Sequence, residues 1–301
     1  MKVLVTGGAG FLGSHLVDAL VERGDRVTVL DNLRRGSLDN LSPHLAAARV
    51  TMLTDDICDY GSVIRAVDGA ELVFHLGAQS NVMGAMQDPW YSFSTNVTGT
   101  FNVLKAASEA GARRVVFSSS REVYGEPESI PVPETAPLAP KSFYGASKVA
   151  GEVYCRAWQG AGGAECQILR FANVYGPRDR DRVIPHWVER AAAGEPLVIY
   201  GGEQILDFIR VEHCVSALLA AADGPEQGPI NVGSGTGTLL PDLARRIIQL
   251  SGSRSTTELL PARDAEVVRF VADVSRMRDI LGVEPGPEPL DGLPALRPAP
   301  A

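Results

Sequence analysis

Tyr144-Gly145-Ala146-Ser147-Lys148 sets a phenol and an amine four residues apart, which on a helix is one face. A phenol titrates near 10. A tyrosine that takes a proton near pH 7 therefore needs its anion favoured by roughly three pH units, or about 4 kcal/mol at ~1.36 kcal/mol per unit. An adjacent ammonium pushes in that direction, as would the positive charge of a bound oxidised cofactor, to which Lys148 could also bond. The pattern alone is common, and an exposed helix pair gives the same letters. Two other stretches give it weight. Ser118-Ser119-Ser120 ends the apolar run Arg114 to Phe117, so hydroxyls stand at the carboxyl end of a strand, facing the same crevice. Gly7, Gly10 and Gly13 stand where a phosphate loop belongs.

The elements around those glycines form one βαβ unit. Val3 to Thr6 is a short β-branched run and predicts a buried parallel strand. Leu12, Leu16 and Leu20 recur every four residues, flanked by Val17 and Val21, which predicts a helix that stops at Gly24-Asp25. Val27 to Leu30 is the next strand. Between strand and helix, Gly7 permits a tight turn, Gly10 lets a pyrophosphate approach the backbone, and Gly13 lets helix and strand pack closely. Phe11 and Leu12, within the loop, are expected along the same ligand. Asp31, about 20 residues on, offers a carboxylate to a ribose diol, with Asn32 beside it. A 2′-phosphate would meet that carboxylate, which favours NAD as the cofactor. Arg34 and Arg35 lie close behind and keep NADP open.

Composition narrows the partners. The chain has 301 residues, 28 Lys plus Arg and 36 Asp plus Glu, for a formal charge of −8. That charge repels phosphate backbones, so nucleic acid is not an expected partner. No apolar run approaches the ~20 residues of a membrane span, and the N-terminus shows no apolar signal core. The four cysteines (Cys58, Cys155, Cys166 and Cys214) have no metal-ligand spacing, so reduced, mostly buried thiols in a cytoplasmic protein are expected, with no metal site.

Further along, Val50 to Leu53 is a third strand, Tyr60 to Val67 a helix, and Leu72 to Ala78 a fourth strand with its exit. His75 reads as a packed strand-end residue. Trp90 to Ala110 predicts one long helix. A proline-rich loop (Pro127 to Pro140), a helix from Tyr144 and a strand from Gln167 to Arg170 complete the alternation. The fold class is α/β: a doubly wound parallel (Rossmann) sheet, with chemistry at the carboxyl ends of its strands and a smaller, interleaved α/β substrate lobe. In that second part we expect a helix from about Ile184 to Ala193 and a strand pair, Leu197 to Tyr200 with Ile205 to Phe208. A strand and turn follow at Pro229 to Gly235, then helices at Leu239 to Leu250 and Asp273 to Leu281. The expected division is 1–175, with about 211–236 returning to it, as a cofactor domain. Residues 176–210 and 237–285 form the substrate lobe, and 286–301 a loose Pro-rich tail.

Several strings carry a resemblance. Thr6-Gly7-Gly8-Ala9-Gly10-Phe11-Leu12-Gly13-Ser14 resembles the extended short-chain dehydrogenase/reductases. Ser118-Ser119-Ser120-Arg121-Glu122-Val123-Tyr124-Gly125 resembles the matching segment of nucleotide-sugar epimerases and dehydratases. Asn96 to Thr100, Leu169 to Arg178, Asp207-Phe208-Ile209 and Asn231 to Gly235 extend the likeness to about Leu281. The chain thus resembles the NAD-dependent epimerase/dehydratase family, in its UDP-glucose 4-epimerase-like group.

That resemblance implies roles. Asp56 and Ile57 hold the adenine, Leu76 to Ala78 run past the nicotinamide, and Asn96 organises hydrogen bonds beside the cofactor. Ser120 bonds the reacting sugar oxygen, Tyr144 exchanges its proton, and Lys148 supports both phenol and cofactor. Asn173 and Arg263 hold the nucleotide diphosphate. The family commonly has another phosphate-binding arginine where this chain has Leu206. Strand alternation points Arg210 to the same side, so Arg210 is expected to compensate. Arg121 replaces the acid of the Asp-Glu pair used by related 4,6-dehydratases, which counts against dehydration. Glu122 keeps glucuronate decarboxylation open, Arg121 could meet a uronic acid carboxylate, and the two could equally form a structural ion pair. The expected activity is 4-epimerisation of a nucleotide-sugar substrate, a UDP-hexose or UDP-hexuronate, by transient oxidation at C4 with tightly bound NAD. Decarboxylase, dehydratase and a non-catalytic dinucleotide sensor are the alternatives. A homodimer built on the helices at Trp90 to Ala110 and Tyr144 to Gln159 is expected by analogy.

Overall fold

Short apolar runs become strands buried on both faces. The computed structural model describes residues 1–180, 182–225, 228–263 and 265–296. Their strands are β1 (Lys2–Thr6), β2 (Arg26–Leu30), β3 (Val50–Leu53), β4 (Leu72–His75), β5 (Arg114–Ser120), β6 (Glu165–Phe171), β7 (Asn173–Tyr175), β8 (Leu197–Tyr200), β9 (Ile205–Arg210), β10 (Ile230–Val232), β11 (Gly237–Leu239), β12 (Thr257–Leu260) and β13 (Arg269–Phe270). Their α-helices are α1 (Phe11–Glu22), α2 (Ser42–Ala46), α3 (Tyr60–Val67), α4 (Val82–Gln87), α5 (Pro89–Phe93), α6 (Gly99–Glu109), α7 (Phe143–Gly160), α8 (Val183–Ala192), α9 (Val211–Asp223), α10 (Leu240–Ser251) and α11 (Ser275–Leu281).

A seven-stranded sheet runs in the order β10-β6-β5-β4-β1-β2-β3, and every neighbouring pair is parallel. Strand order reverses between β1 and β4, and such a switch point opens a crevice at the carboxyl ends. The two-residue period sorts the strands' side chains. Val3, Val5, Phe74, Val116 and Leu169 join one core with Leu16 and Leu20 of α1, Leu218 of α9 and Met277 of α11. Their neighbours Leu4, Val73, Val115, Phe117 and Ile168 join the opposite core with Val63 of α3, Leu104 of α6 and Cys155 of α7. Both faces are therefore covered, as a parallel sheet requires.

The long helix expected from Trp90 is interrupted. Residues Ser94–Thr98 form a π-turn between α5 and α6 and carry Asn96 on it. The second lobe has its own core, with Ile184, Trp187, Leu197, Phe208, Leu243 and Ile247. Leu197 to Tyr200 and Ile205 to Phe208 do not pair with each other, contrary to expectation. Gly201 and Gly202, both at positive φ, carry the chain from one small sheet to another. There β8 pairs with β12, while β9 takes β11 and β13 as neighbours and also pairs with β7. Buried Asp207 ties β9 to the turn at Ser234, accepting from that residue's amide and hydroxyl (both 2.7 Å) and from the amides of Gly235 and Ala272.

Two boundaries differ from the expected division. Phe270, Ala272, Val274, Met277, Leu281 and Val283 pack into the first lobe's core, so the chain has returned to the sheet well before residue 285. The segment after it is not loose: Leu290 and Leu293 are buried in the second core, because the prolines there are interleaved with leucines that have an apolar face to join. Residues 297–301 of the expected tail lie outside the described residues. Among the described residues no helix is long and apolar enough to cross a membrane, and no cluster of His, Cys, Asp and Glu could hold a metal ion. All four cysteines carry free thiols, three of them buried.

Candidate active site

At the carboxyl ends of the sheet strands, between the lobes, lies a cavity of about 1070 Å³. One end is built by the glycine turn. Gly7 has φ +72°, and a Cβ on Gly13 would lie 2.1 Å from the Gly7 carbonyl oxygen, so a side chain at either position would break the turn. Helix α1 starts at Gly10 with no side-chain cap and no acid in its first turn, leaving its leading amides to a ligand. Gly7, Gly10, Phe11, Leu12 and Gly13 all line the cavity. Asp31 is buried beside them and accepts from the amides of Ala9 (3.0 Å) and Leu33 (2.9 Å). Burial pushes its carboxyl up, and those two amides oppose the shift.

Further along this wall, Asn32 and Ile57 face the cavity and Asp56 does not. The Asp56 carboxylate accepts instead from Asn32 Nδ2 and from the Cys58 amide, both at 2.8 Å, because that turn needs an acceptor; Asp55 lines the wall in its place. Arg34 lies 3.6 Å over the Tyr91 ring, and Arg35 donates to the Ser80 hydroxyl. Leu76 and Ala78 line the opposite wall. Asn96, also expected among the residues that contact the cofactor, is 2% exposed and lies behind the wall, not on it. Its amide accepts from the Gln79 amide (2.8 Å) and donates to the Gln79 carbonyl (2.9 Å) and the Ser147 hydroxyl (2.8 Å). It fastens the loop after β4 to α7. His75 is a packed strand-end residue, hydrogen-bonded to Thr6 and Thr100, and burial pushes it down to about 3. An uncapped helix start, a glycine cradle that excludes any Cβ and a buried carboxylate together fit a dinucleotide such as NAD.

Ser120, Tyr144 and Lys148 meet at the cavity's other end. Ser120 ends β5 and caps the 3-10 turn Arg121–Val123, accepting from the Glu122 amide at 3.2 Å. Helix α7 begins at Phe143 because Ser142 caps it, accepting from the Gly145 amide at 3.1 Å, which places Tyr144 on its first turn. Lys148 Nζ donates to the Ser118 carbonyl at 2.7 Å and lies 5.9 Å from the centre of the Tyr144 ring. Burial pushes Lys148 down to about 8. Burial also raises the half-buried Tyr144, against a hydrogen bond with Ser120 and the fields of Arg182 and Arg121. Burial opposes the charged form of both groups, and Ser120, Arg182 and Arg121 partly offset this for the phenol.

Arg121 and Glu122 also line this end and form an ion pair of 2.9 Å. On the second lobe, Asn173, Arg182, Arg190, Leu206 and Arg263 line the wall. Asn173 Nδ2 donates to the Asp207 carbonyl (2.9 Å), and Arg263 lies 3.5 Å over the Tyr200 ring and pairs with Glu266 at 3.1 Å. Arg210 does not line the cavity, so it cannot replace an arginine at Leu206. It ends β9, and Glu212 (3.2 Å) and Asp291 (3.3 Å) hold it on the outer side. Sequence reasoning missed two features. Arg182 reaches over the Phe11 ring at 5.3 Å, joining the lobes. Behind Lys148, fully buried Glu152 pairs with Arg170 (2.6 Å) and accepts from the Ser119 hydroxyl (2.6 Å), while Arg170 donates to the Tyr124 hydroxyl (2.8 Å). The available signal was an acid one turn after Lys148 and an arginine inside an apolar strand, both in core register.

Comparison with known proteins places this geometry in context. The NAD dependent epimerase/dehydratase family model matches residues 3–233. A UDP-glucose 4-epimerase of Mycolicibacterium smegmatis is 36% identical, over 95% of this chain and 94% of that protein. UDP-glucuronic acid decarboxylase 2 of Arabidopsis thaliana is 32% identical, over 98% of this chain and 67% of that protein. The crystal structure of a Thermotoga maritima UDP-glucose 4-epimerase with UDP-glucose superposes with a TM-score of 0.93 at 33% identity, covering 98% of this chain and 96% of that one.

Proposed function

The chain belongs to the NAD-dependent epimerase/dehydratase family, and we propose that within it this protein is a nucleotide-sugar 4-epimerase. It is an NAD-dependent nucleotide-sugar enzyme. The observation that carries the finer reading is the meeting of Ser120, Tyr144 and Lys148 at one end of a cavity where the Glu122 carboxylate is engaged by Arg121.

When bound along Gly10, Asp31 and Ala78, NAD supplies the two-electron oxidation and reduction at C4 of the sugar. The protein supplies the rest. Ser120 orients the 4-hydroxyl, and Tyr144 takes its proton on oxidation and returns it on reduction. Lys148, fixed on the Ser118 carbonyl, holds the nicotinamide ribose and the phenol in register. The resulting 4-ketone no longer donates a hydrogen bond, so the sugar can turn while Asn173 and Arg263 keep the diphosphate in place. Positioning and proton transfer are the protein's contribution to rate.

Product analysis by NMR with a panel of UDP- and dTDP-hexoses and hexuronates tests this. Inversion at C4 with unchanged mass is expected. Loss of water or of carbon dioxide would overturn it. Decarboxylation is the second reading, favoured by the retained Glu122 and the decarboxylase relatives, and a pentose product from UDP-glucuronate would establish it. We also propose a homodimer through α5, α6 and α7, because Trp90 is 75% exposed, with Phe93, Val153 and Tyr154 also exposed on those helices.

A further inference from the structure

We propose that Arg121 sheathes Glu122, so that this carboxylate, two residues after Ser120, takes no proton from the sugar carbons beside the reacting one. The inference rests on the 4-ketone of the preceding reading. Any hydrogen on a carbon next to a ketone is acidified. A carboxylate in reach removes it: the C–H bonding pair becomes a C=C bond, the carbonyl pair moves onto the 4-oxygen, and the proton stays on the carboxylate. Return of a solvent-derived proton restores the ketone, with no net redox change. An enzyme that passes through a 4-ketone and gives back an intact sugar has to prevent this at C3 and C5.

Glu122 is placed to do that damage. It stands two residues after Ser120, lines the cavity and acts on the Tyr144 phenol through its field. Yet its side chain is only 6% exposed. Oε1 is held by Arg121 Nη2 at 2.9 Å, and Oε2 is buried with no hydrogen-bond partner. The Arg121 side chain is only 12% exposed, its guanidinium lies 5.8 Å from the centre of the Phe270 ring, and its Nη1 is also buried and unpartnered. Stability does not account for this pair. Burying two charges consumes most of what their attraction returns, and each unmade buried hydrogen bond costs about 1–3 kcal/mol. The arrangement makes sense as restraint. Arg121 also offsets the effect of Glu122 on Tyr144, since the two shift the phenol in opposite directions.

A preformed ketone separates this inference from the epimerase assignment. The NAD-loaded protein is incubated in D₂O with a UDP-4-keto-6-deoxyhexose, and deuterium entering C3 and C5 is followed by proton NMR. Wild type should exchange no faster than buffer. Arg121→Gln should exchange at least about tenfold faster, and the Arg121→Gln/Glu122→Gln double variant should return to background. Fast exchange by wild type would overturn the proposal, as would an Arg121→Gln protein that binds NAD and shows no acceleration. Should that variant not fold, Arg121→Met carries the same test. Epimerisation of UDP-hexoses is read separately at C4, so a failure of that reading and a failure of this exchange test are told apart.

Discussion

The two walls of the cavity are built on different terms. On the first-lobe wall, Ser120 and Lys148 are buried, Tyr144 is half-buried, and all sit at the ends of a covered parallel sheet or on the helix packed across it. Hidden bonds back them: Asn96 to Gln79 and Ser147, Glu152 to Arg170 and Ser119, and Lys148 to a strand carbonyl. On the second-lobe wall, Arg182, Arg190 and Arg263 are partly exposed and held mainly by carboxylates, backbone carbonyls and ring faces. Groups that move protons must keep their positions to a fraction of an ångström. Groups that grip a flexible diphosphate need charge and reach.

Perturbing each wall tests the contrast, starting where the effect is largest. Tyr144→Phe should lower kcat by about 10²–10⁴-fold and leave NAD affinity within about twofold, measured by steady-state kinetics and cofactor titration. Glu152→Ala strands the buried Arg170 and should cost about 3–5 kcal/mol in denaturant unfolding, although neither residue touches a ligand. His75 supplies a pH signature of the same wall. Its folded value, about 3, lies below the ordinary 6.5, so on acidification the unfolded chain takes up the proton first. Its contribution is therefore neutral above pH 6.5 and erodes stability by about 1.4 kcal/mol per pH unit below that, levelling off near 3. The pH dependence of unfolding in His75→Gln should lack this component. On the second wall, Arg263→Ala should raise KM about tenfold and spare kcat. Arg210→Ala, which alters only surface ion pairs, should change KM by less than about twofold and stability by less than about 0.5 kcal/mol. A kcat loss in Arg263→Ala would blur the distinction between the walls.

The first wall was also the more legible in the sequence. Its residues act at fixed offsets from local signals: glycines between strand and helix, serines at a strand end, a phenol and an amine one helical turn apart. The βαβ alternation follows from runs whose period is short and unbroken. What the sequence hid depends on partners far along the chain. Nothing local distinguishes a straight helix from one with a π-turn at Ser94–Thr98. The alternation rule put Leu206 and Arg210 on one side of β9, and Glu212 and Asp291 then turned the arginine outward. Adjacency suggested a hairpin between β8 and β9, and the true partner of β8 lies 60 residues away, as the register of Leu197 with Thr257 illustrates. The prolines after Gly282 masked two leucines with a core to fill.

The order in which the sheet is completed bears on how the chain is made. Strand β6 leaves the ribosome with Leu169 and Phe171 uncovered, and its outer neighbour β10 and the covering helix α11 follow only at residues 230–232 and 275–281. At a synthesis rate of about 5–20 residues per second, that edge stays open for roughly 3–12 seconds before β10 is made, and its apolar face for roughly 5–20 seconds before α11. Aggregation during expression should therefore begin at this margin, and chains cut short before α11 should suffer it most.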